Sequence, residues 1–174
     1  MHGVRLSSQV QACRSAESEG IIVVSVKAQH LESVYNWYGS QGIELELGER
    51  PCIDLLNKKV VLDGMLDSQQ LLFAALHEAG HFVVNESPDW RNKYPVRQEV
   101  RDGITDNDDL FSSIELLHEE CEAWEEGRKL GIELGIGNLG VDDDWIQRKA
   151  NALVSYVMAL STQVQELGEK IEKD

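Results

Sequence analysis

Apolar residues recur along this chain at two periods, and the two sort it into strands and helices. The segment IELEL, residues 43–47, alternates apolar with acidic positions, and CIDLL (52–56) and KKVVLD (58–63) follow after Gly, Pro and Asn punctuation. That pattern predicts short strands of a small sheet. The β-branched run IIVVSVK, residues 21–27, reads as a further strand. In residues 29–42 the period changes: Leu31, Val34, Tyr35 and Tyr38 fall on one side of a short helix that Gly42 stops. Asp67, with Gln70 three residues on, has the spacing of a capping box and predicts a helix from there to about Asn85. Two more helices are predicted over 109–134 and 142–168, the second opened by three aspartates at its positive end. Ahead of them, after the helix ending near Asn85, residues 86–109 read as a polar loop with two prolines, long enough to be either functional or disordered. Residues 1–19 have little periodicity and read as a mobile N-terminal segment ahead of a single domain over 20–174. The fold class is therefore α+β, with a small sheet packed against the helix over 67–85 and further helices C-terminal to it.

That helix carries the chemistry. LLFAALHEAGHFVVN, residues 71–85, is apolar or small nearly all round except for His77, Glu78 and His81. On a helix His77 and His81 lie about 40° apart, so both imidazoles can reach one ion. Glu78 lies about 100° round from His77, outside a shared tetrahedron but near enough to act on a water beside the ion. Two neutral nitrogens, a third protein ligand and a carboxylate base are what zinc-assisted hydrolysis uses. The plainer alternative is a pair of hydrogen-bonded core histidines. Burying three such groups with no common partner would cost several kcal/mol, roughly, which favours one Zn²⁺ per chain.

The third ligand is sought in LLHEECEAWEEGRKLG, residues 116–131. On a helical projection Ala123, Leu116, Gly127, Glu120, Gly131, Trp124, Leu117 and Cys121 share an apolar or small-residue sector. His118, Glu119, Glu122, Glu125 and Glu126 fall on a charged face expected to be solvated. Glu120 is the one carboxylate in the apolar sector, and an ionised carboxylate there needs a cation. Ala123, Gly127 and Gly131 leave room for a neighbouring helix. Two alternatives stay open: Glu120 pairs with Arg128 or a loop arginine, or His118 is the ligand.

HExxH followed some 40 residues later by Glu-x-x-Ala, here ECEA from Glu120 to Ala123, resembles the small ImmA/IrrE-type zinc metallopeptidases, including relatives carried by phages and other mobile elements. The resemblance covers roughly residues 50–130. It implies that His77, His81 and Glu120 bind zinc, that Glu78 is the catalytic base, and that the substrate is a specific protein, such as a transcriptional regulator. Where that family has Asn and Phe-Ala after the alanine, this chain has WEEG.

Charge narrows the partners. Sixteen Lys and Arg against 31 Asp and Glu give a net charge of −15, which repels nucleic-acid phosphates and anionic headgroups, so neither direct nucleic-acid binding nor a membrane surface is expected. Cys13, Cys52 and Cys121 are far apart and form no CxxC pair, as expected of reduced thiols in a cytoplasmic protein. The same charge sustains two other readings: an acidic inhibitor or DNA mimic with a merely structural zinc, or a protein that sequesters a repressor. Arg91, Lys93, Arg97 and Arg101 form a cationic island after the HExxH helix that either meets an acidic peptide or neutralises nearby acids. Tyr94, Arg97 and His118 are the candidate substrate or oxyanion contacts. Gly80 inside the helix suggests close packing at the metal, and Trp124, Tyr35, Trp37 and Tyr38 read as packing residues. Trp145, Ile146, Leu153, Val154, Val157, Leu160, Val164 and Leu167 line the last helix as an apolar stripe that either packs the domain or joins a homodimer.

Overall fold

A computed structural model describes residues 26–104, 110–137, 139 and 142–171. The fold is α+β. Helix α1 (Val26–Ser40) leads into strands β1 (Glu44–Gly48), β2 (Cys52–Asp54) and β3 (Lys59–Asp63). Helices α2 (Ser68–Glu86), α3 (Trp90–Lys93), α4 (Pro95–Arg101), α5 (Leu110–Glu133) and α6 (Asp143–Ile171) follow.

The strand expected over 21–27 is corrected where it can be seen. Val26 and Lys27 open α1, while residues 21–25, like the expected mobile segment, lie outside the described residues. The β-branched preference of Val26 yields to a helix that buries Leu31, Val34 and Tyr38 on one face. Gly42, at φ 68°, turns the chain out of α1 in the left-handed conformation that glycine adopts freely.

The three strands form one mixed sheet in the order β1-β3-β2. β1 runs parallel to β3, pairing Leu45 with Val60 and Leu47 with Leu62, and β2 runs antiparallel, pairing Ile53 with Val60. Alternation decides the faces: Val60 and Leu62 are buried with Leu45, Leu47 and Ile53 packed beside them. On the β1–β3 pair, Glu46 meets Lys59 at 2.9 Å. Asp54 closes the β2–β3 hairpin by accepting the Asn57 backbone N–H at 2.9 Å.

α2 begins at the expected capping box. Asp67 Oδ1 accepts the N–H groups of Gln69 and Gln70, and Gln70 Oε1 accepts the Asp67 N–H. This helix is buried on most of its circumference because α1 and α5 both pack against it and it also meets β3. From α1, the Tyr38 hydroxyl donates to the Ala75 carbonyl at 2.6 Å. On the α5 side the backbones nearly touch: a Cβ added at Gly80 would overlap the Ala123 carbonyl oxygen, and one at Gly127 would overlap the Leu76 carbonyl oxygen. α6 lies along α5, with Trp145 packed edge-on to Trp124 at 4.9 Å and to Phe73 at 5.3 Å.

The described part of the segment read as a polar loop, residues 86–104, is instead largely helical, and residues 105–109 lie outside the described residues. Residues 86–104 hold α3 and α4, with Pro95 at the first turn of α4, where a missing N–H costs nothing. Trp90 and Tyr94 are buried with Val84 in a small second core. Among the described residues no helix is long and apolar enough to cross a membrane.

Candidate metal centre

The helical phase of α2 and the close approach of α5 bring three ligand atoms together. The Nε2 atoms of His77 and His81 stand 3.3 Å apart, and Glu120 turns Oε2 to His77 and Oε1 to His81, each at 3.3 Å. A tetrahedral ion with ligands at about 2.0–2.1 Å has ligand–ligand edges of about 3.3–3.4 Å, close to the separation of the two imidazole nitrogens and of each from the carboxylate oxygen that faces it. Two imidazoles and one carboxylate are also the donor types zinc takes at sites that leave a fourth position open. Among the described residues no other set of three His, Cys, Asp or Glu side chains comes this close.

Electrostatics agree with the geometry. Burial opposes ionisation of Glu120, yet the facing His77 and His81 outweigh it and hold the carboxyl well below its ordinary range. Burial likewise opposes a charge on His81, and the Glu120 carboxylate outweighs it, so its pKa is raised. Both shifts come from the pairing of the Glu120 carboxylate with the imidazoles that face it. His77 is fixed by packing: its ring stacks on Trp124 at 4.3 Å with the planes 19° apart, and its buried Nδ1 has no hydrogen-bond partner. Stacking here replaces the outer hydrogen bond that usually orients a metal-binding histidine.

Glu78 is half-buried and stands outside the triad of donors. Two phenols lie within reach of its charge. Burial raises the Tyr38 pKa first, and the Glu78 carboxylate raises it further. Tyr156, brought in by α6, responds the same way: burial raises its pKa, Glu120 and Glu78 add to the rise, and Arg97 opposes it. Sequence reasoning missed Tyr156. Its signal was a polar-tipped residue inside the apolar stripe of α6, between Leu153 and Leu160.

The remaining candidates are placed as follows. Tyr94 is fully buried and donates its hydroxyl to Glu122 Oε2 at 2.6 Å, and Lys93 pairs with the other oxygen. His118 stands beside them, its ring 5.4 Å from Tyr94 and its Nε2 4.0 Å from Glu122. These side chains form a polar cluster apart from the donor triad. Arg97 packs its guanidinium on Glu119 at 3.4 Å, and Arg101 reaches the same carboxylate at 3.8 Å. Glu119 is therefore buried, not part of a solvated face as expected, because α4 covers that side of α5. Of the arginines proposed as partners for Glu120, Arg97 and Arg101 pair with Glu119, and Arg128 pairs with Glu125 at 3.0 Å.

These neighbours separate two adjacent glutamates by experiment. Glu120→Gln is expected to weaken zinc, measured by chelator competition, by more than about 100-fold, beyond the loss that follows from removing an outer supporting group. Glu119→Gln leaves two arginines facing a neutral amide and should cost about 2 kcal/mol of stability while zinc affinity holds. Equal losses of zinc affinity would mean that Glu120 is not a ligand.

No protein-family model, no curated protein and no solved structure matches this chain, so its likeness to a peptidase family rests on the motif residues alone.

Proposed function

We propose that this chain is a zinc-dependent peptidase that cuts a specific protein substrate, with His77, His81 and Glu120 holding the metal and Glu78 as general base. The observation that supports this best is the gathering of His77, His81 and Glu120 from two helices, the two imidazole nitrogens 3.3 Å apart and each 3.3 Å from a Glu120 oxygen, with a carboxylate one residue away that does not join them. Zinc bound there would supply Lewis acidity toward the scissile carbonyl. Glu78 takes a proton from the attacking water and returns it to the leaving amine, so one carboxylate serves both steps. Trp124 and the α2–α5 contact hold the ligands in place, and the phenols of Tyr38 and Tyr156 border the base. A regulatory protein, such as a transcription factor, is the substrate class that the motif resemblance suggests.

The acidic-mimic reading depends on an unpaired negative surface. Much of the acid on α5 is already matched, Glu119 by Arg97 and Arg101, Glu122 by Lys93, Glu125 by Arg128 and Lys149, and Glu126 by Lys129. A direct test combines metal analysis with mapping of new protein N-termini in a cell extract. Purified protein should carry about one zinc per chain, and its addition should create new termini that vanish when the zinc is chelated. Full zinc occupancy with no chelator-sensitive cleavage would reduce the site to a structural metal.

A further inference from the structure

We infer that α6 is one strand of a parallel two-stranded coiled coil formed with a second copy of this chain, an inference that stands independently of the peptidase reading. From Ile146 onward α6 keeps an apolar residue at alternating steps of four and three: Ile146, Ala150, Leu153, Val157, Leu160, Val164, Leu167 and Ile171. That is a heptad seam of almost four repeats, about the length at which such a pattern becomes specific. One set of positions is Val157, Val164 and Ile171, all β-branched, preceded by Ala150. The other is Leu153, Leu160 and Leu167, preceded by Ile146. β-branched residues at the first set with leucine at the second favour two parallel helices. In that arrangement each seam residue meets its own counterpart, so a second copy of the same helix supplies the complementary face.

The fold leaves much of this seam open, while Leu153 packs against the core and Leu160 is half-buried. Ile146 is 48% exposed, Val157 51%, Val164 52% and Leu167 41%, although each is a large apolar side chain. The domain holds α6 by an adjoining face that shares Leu153 with the seam. Trp145, Lys149 and Tyr156, which meet Phe73 and Trp124, Glu125, and Glu120 respectively, lie about 50–90° round from the centre of the seam, with Lys149 and Tyr156 on its border. A second helix docks along the exposed part of the seam, from Val157 to Leu167, while Leu153 stays on the domain. Charge also permits it. On a chain of net charge −15, the positions flanking the seam from Gln147 to Lys170 are Gln147, Lys149, Val154, Tyr156, Ser161, Gln163, Gly168 and Lys170, with no carboxylate among them. Glu166 and Glu169 point away from the seam by their heptad positions.

Light scattering on the full-length protein at micromolar concentration should give twice the 19.6 kDa of one chain. Val157→Glu with Val164→Glu should give a monomer that keeps wild-type helicity by circular dichroism. Val164→Glu alone, should the double variant misfold, should weaken the dimer in the same direction. Met158→Glu alters a residue 67% exposed but off the seam, and should leave the dimer intact. Mild oxidation of Val164→Cys should link identical positions across the dimer. A monomeric wild type, a dimer that survives the seam substitutions or is lost with Met158→Glu, or a dimer in which Val164→Cys does not cross-link, would overturn the proposal.

Discussion

Gly80→Ala is expected to lower the thermal midpoint of the metal-free protein by roughly 10 °C, although glycine to alanine inside an exposed helix normally adds about 1 kcal/mol of stability. The reversal comes from α5. The new methyl would overlap the Ala123 carbonyl oxygen and would lie 2.9 Å from the Gly127 backbone nitrogen, and backbone atoms cannot rotate aside. Overpacking of this kind costs about 1–3 kcal/mol and sometimes more. The helices must separate, and their separation is the spacing that brings Glu120 within 3.3 Å of both histidines, so zinc affinity should fall as well. Gly39→Ala is the control, since a Cβ there meets nothing within 4 Å and should leave stability unchanged or slightly improved. Unfolding followed by circular dichroism in the presence of a chelator separates packing from metal loss. A midpoint equal to wild type would mean that the α2–α5 contact is looser than described.

The parts of this molecule that were legible in the sequence are those fixed by local pattern. The Asp67–Gln70 cap, the alternation that buries Val60 and Leu62, and the helical phase that gathers His77 and His81 all depend on neighbours a few residues apart. Glu120 was legible for a related reason: small residues at Ala123, Gly127 and Gly131 marked the face of α5 that another helix approaches, and Glu120 shares that face. What could not be read depends on long-range packing. Phase alone placed Glu119 with the solvated acids, since nothing in α5 reveals that α4 will lay Arg97 and Arg101 across it. α3 and α4 escaped because they are short and rich in Pro, Asn and charge, and because Trp90 and Tyr94 are buried against Val84 from α2. Tyr156 reaches Glu120 only because α6 runs along α5, a register set by Trp145 on Trp124 and Lys149 on Glu125. The sequence of α6 shows a wide apolar face but does not say which part of it packs on the domain.

Glu78→Gln should abolish chelator-sensitive cleavage in an ordinary gel or N-terminal assay while leaving fold and zinc content as in wild type. Glutamine keeps the size and reach of the side chain, and Glu78 lies outside the His77, His81 and Glu120 donor set, so the ligands keep their positions. What disappears is the ability to accept a proton from water, since an amide is a very weak base. Removal of a general base typically costs about 10² to 10⁴ in rate. In the proposed mechanism the acid form of the same carboxyl returns the proton to the leaving amine, so both half-steps would suffer from one substitution. Substrate binding does not require that proton, so the variant should still hold its partner and is the form with which to isolate it. The outcome discriminates between functions as well as residues. An acidic mimic or a sequestering protein acts through its surface and would be indifferent to one half-buried carboxylate. If Glu78→Gln kept the full biological effect of the wild type with zinc still bound, hydrolysis would not be what this chain contributes, and the metal would be there to hold α2 against α5.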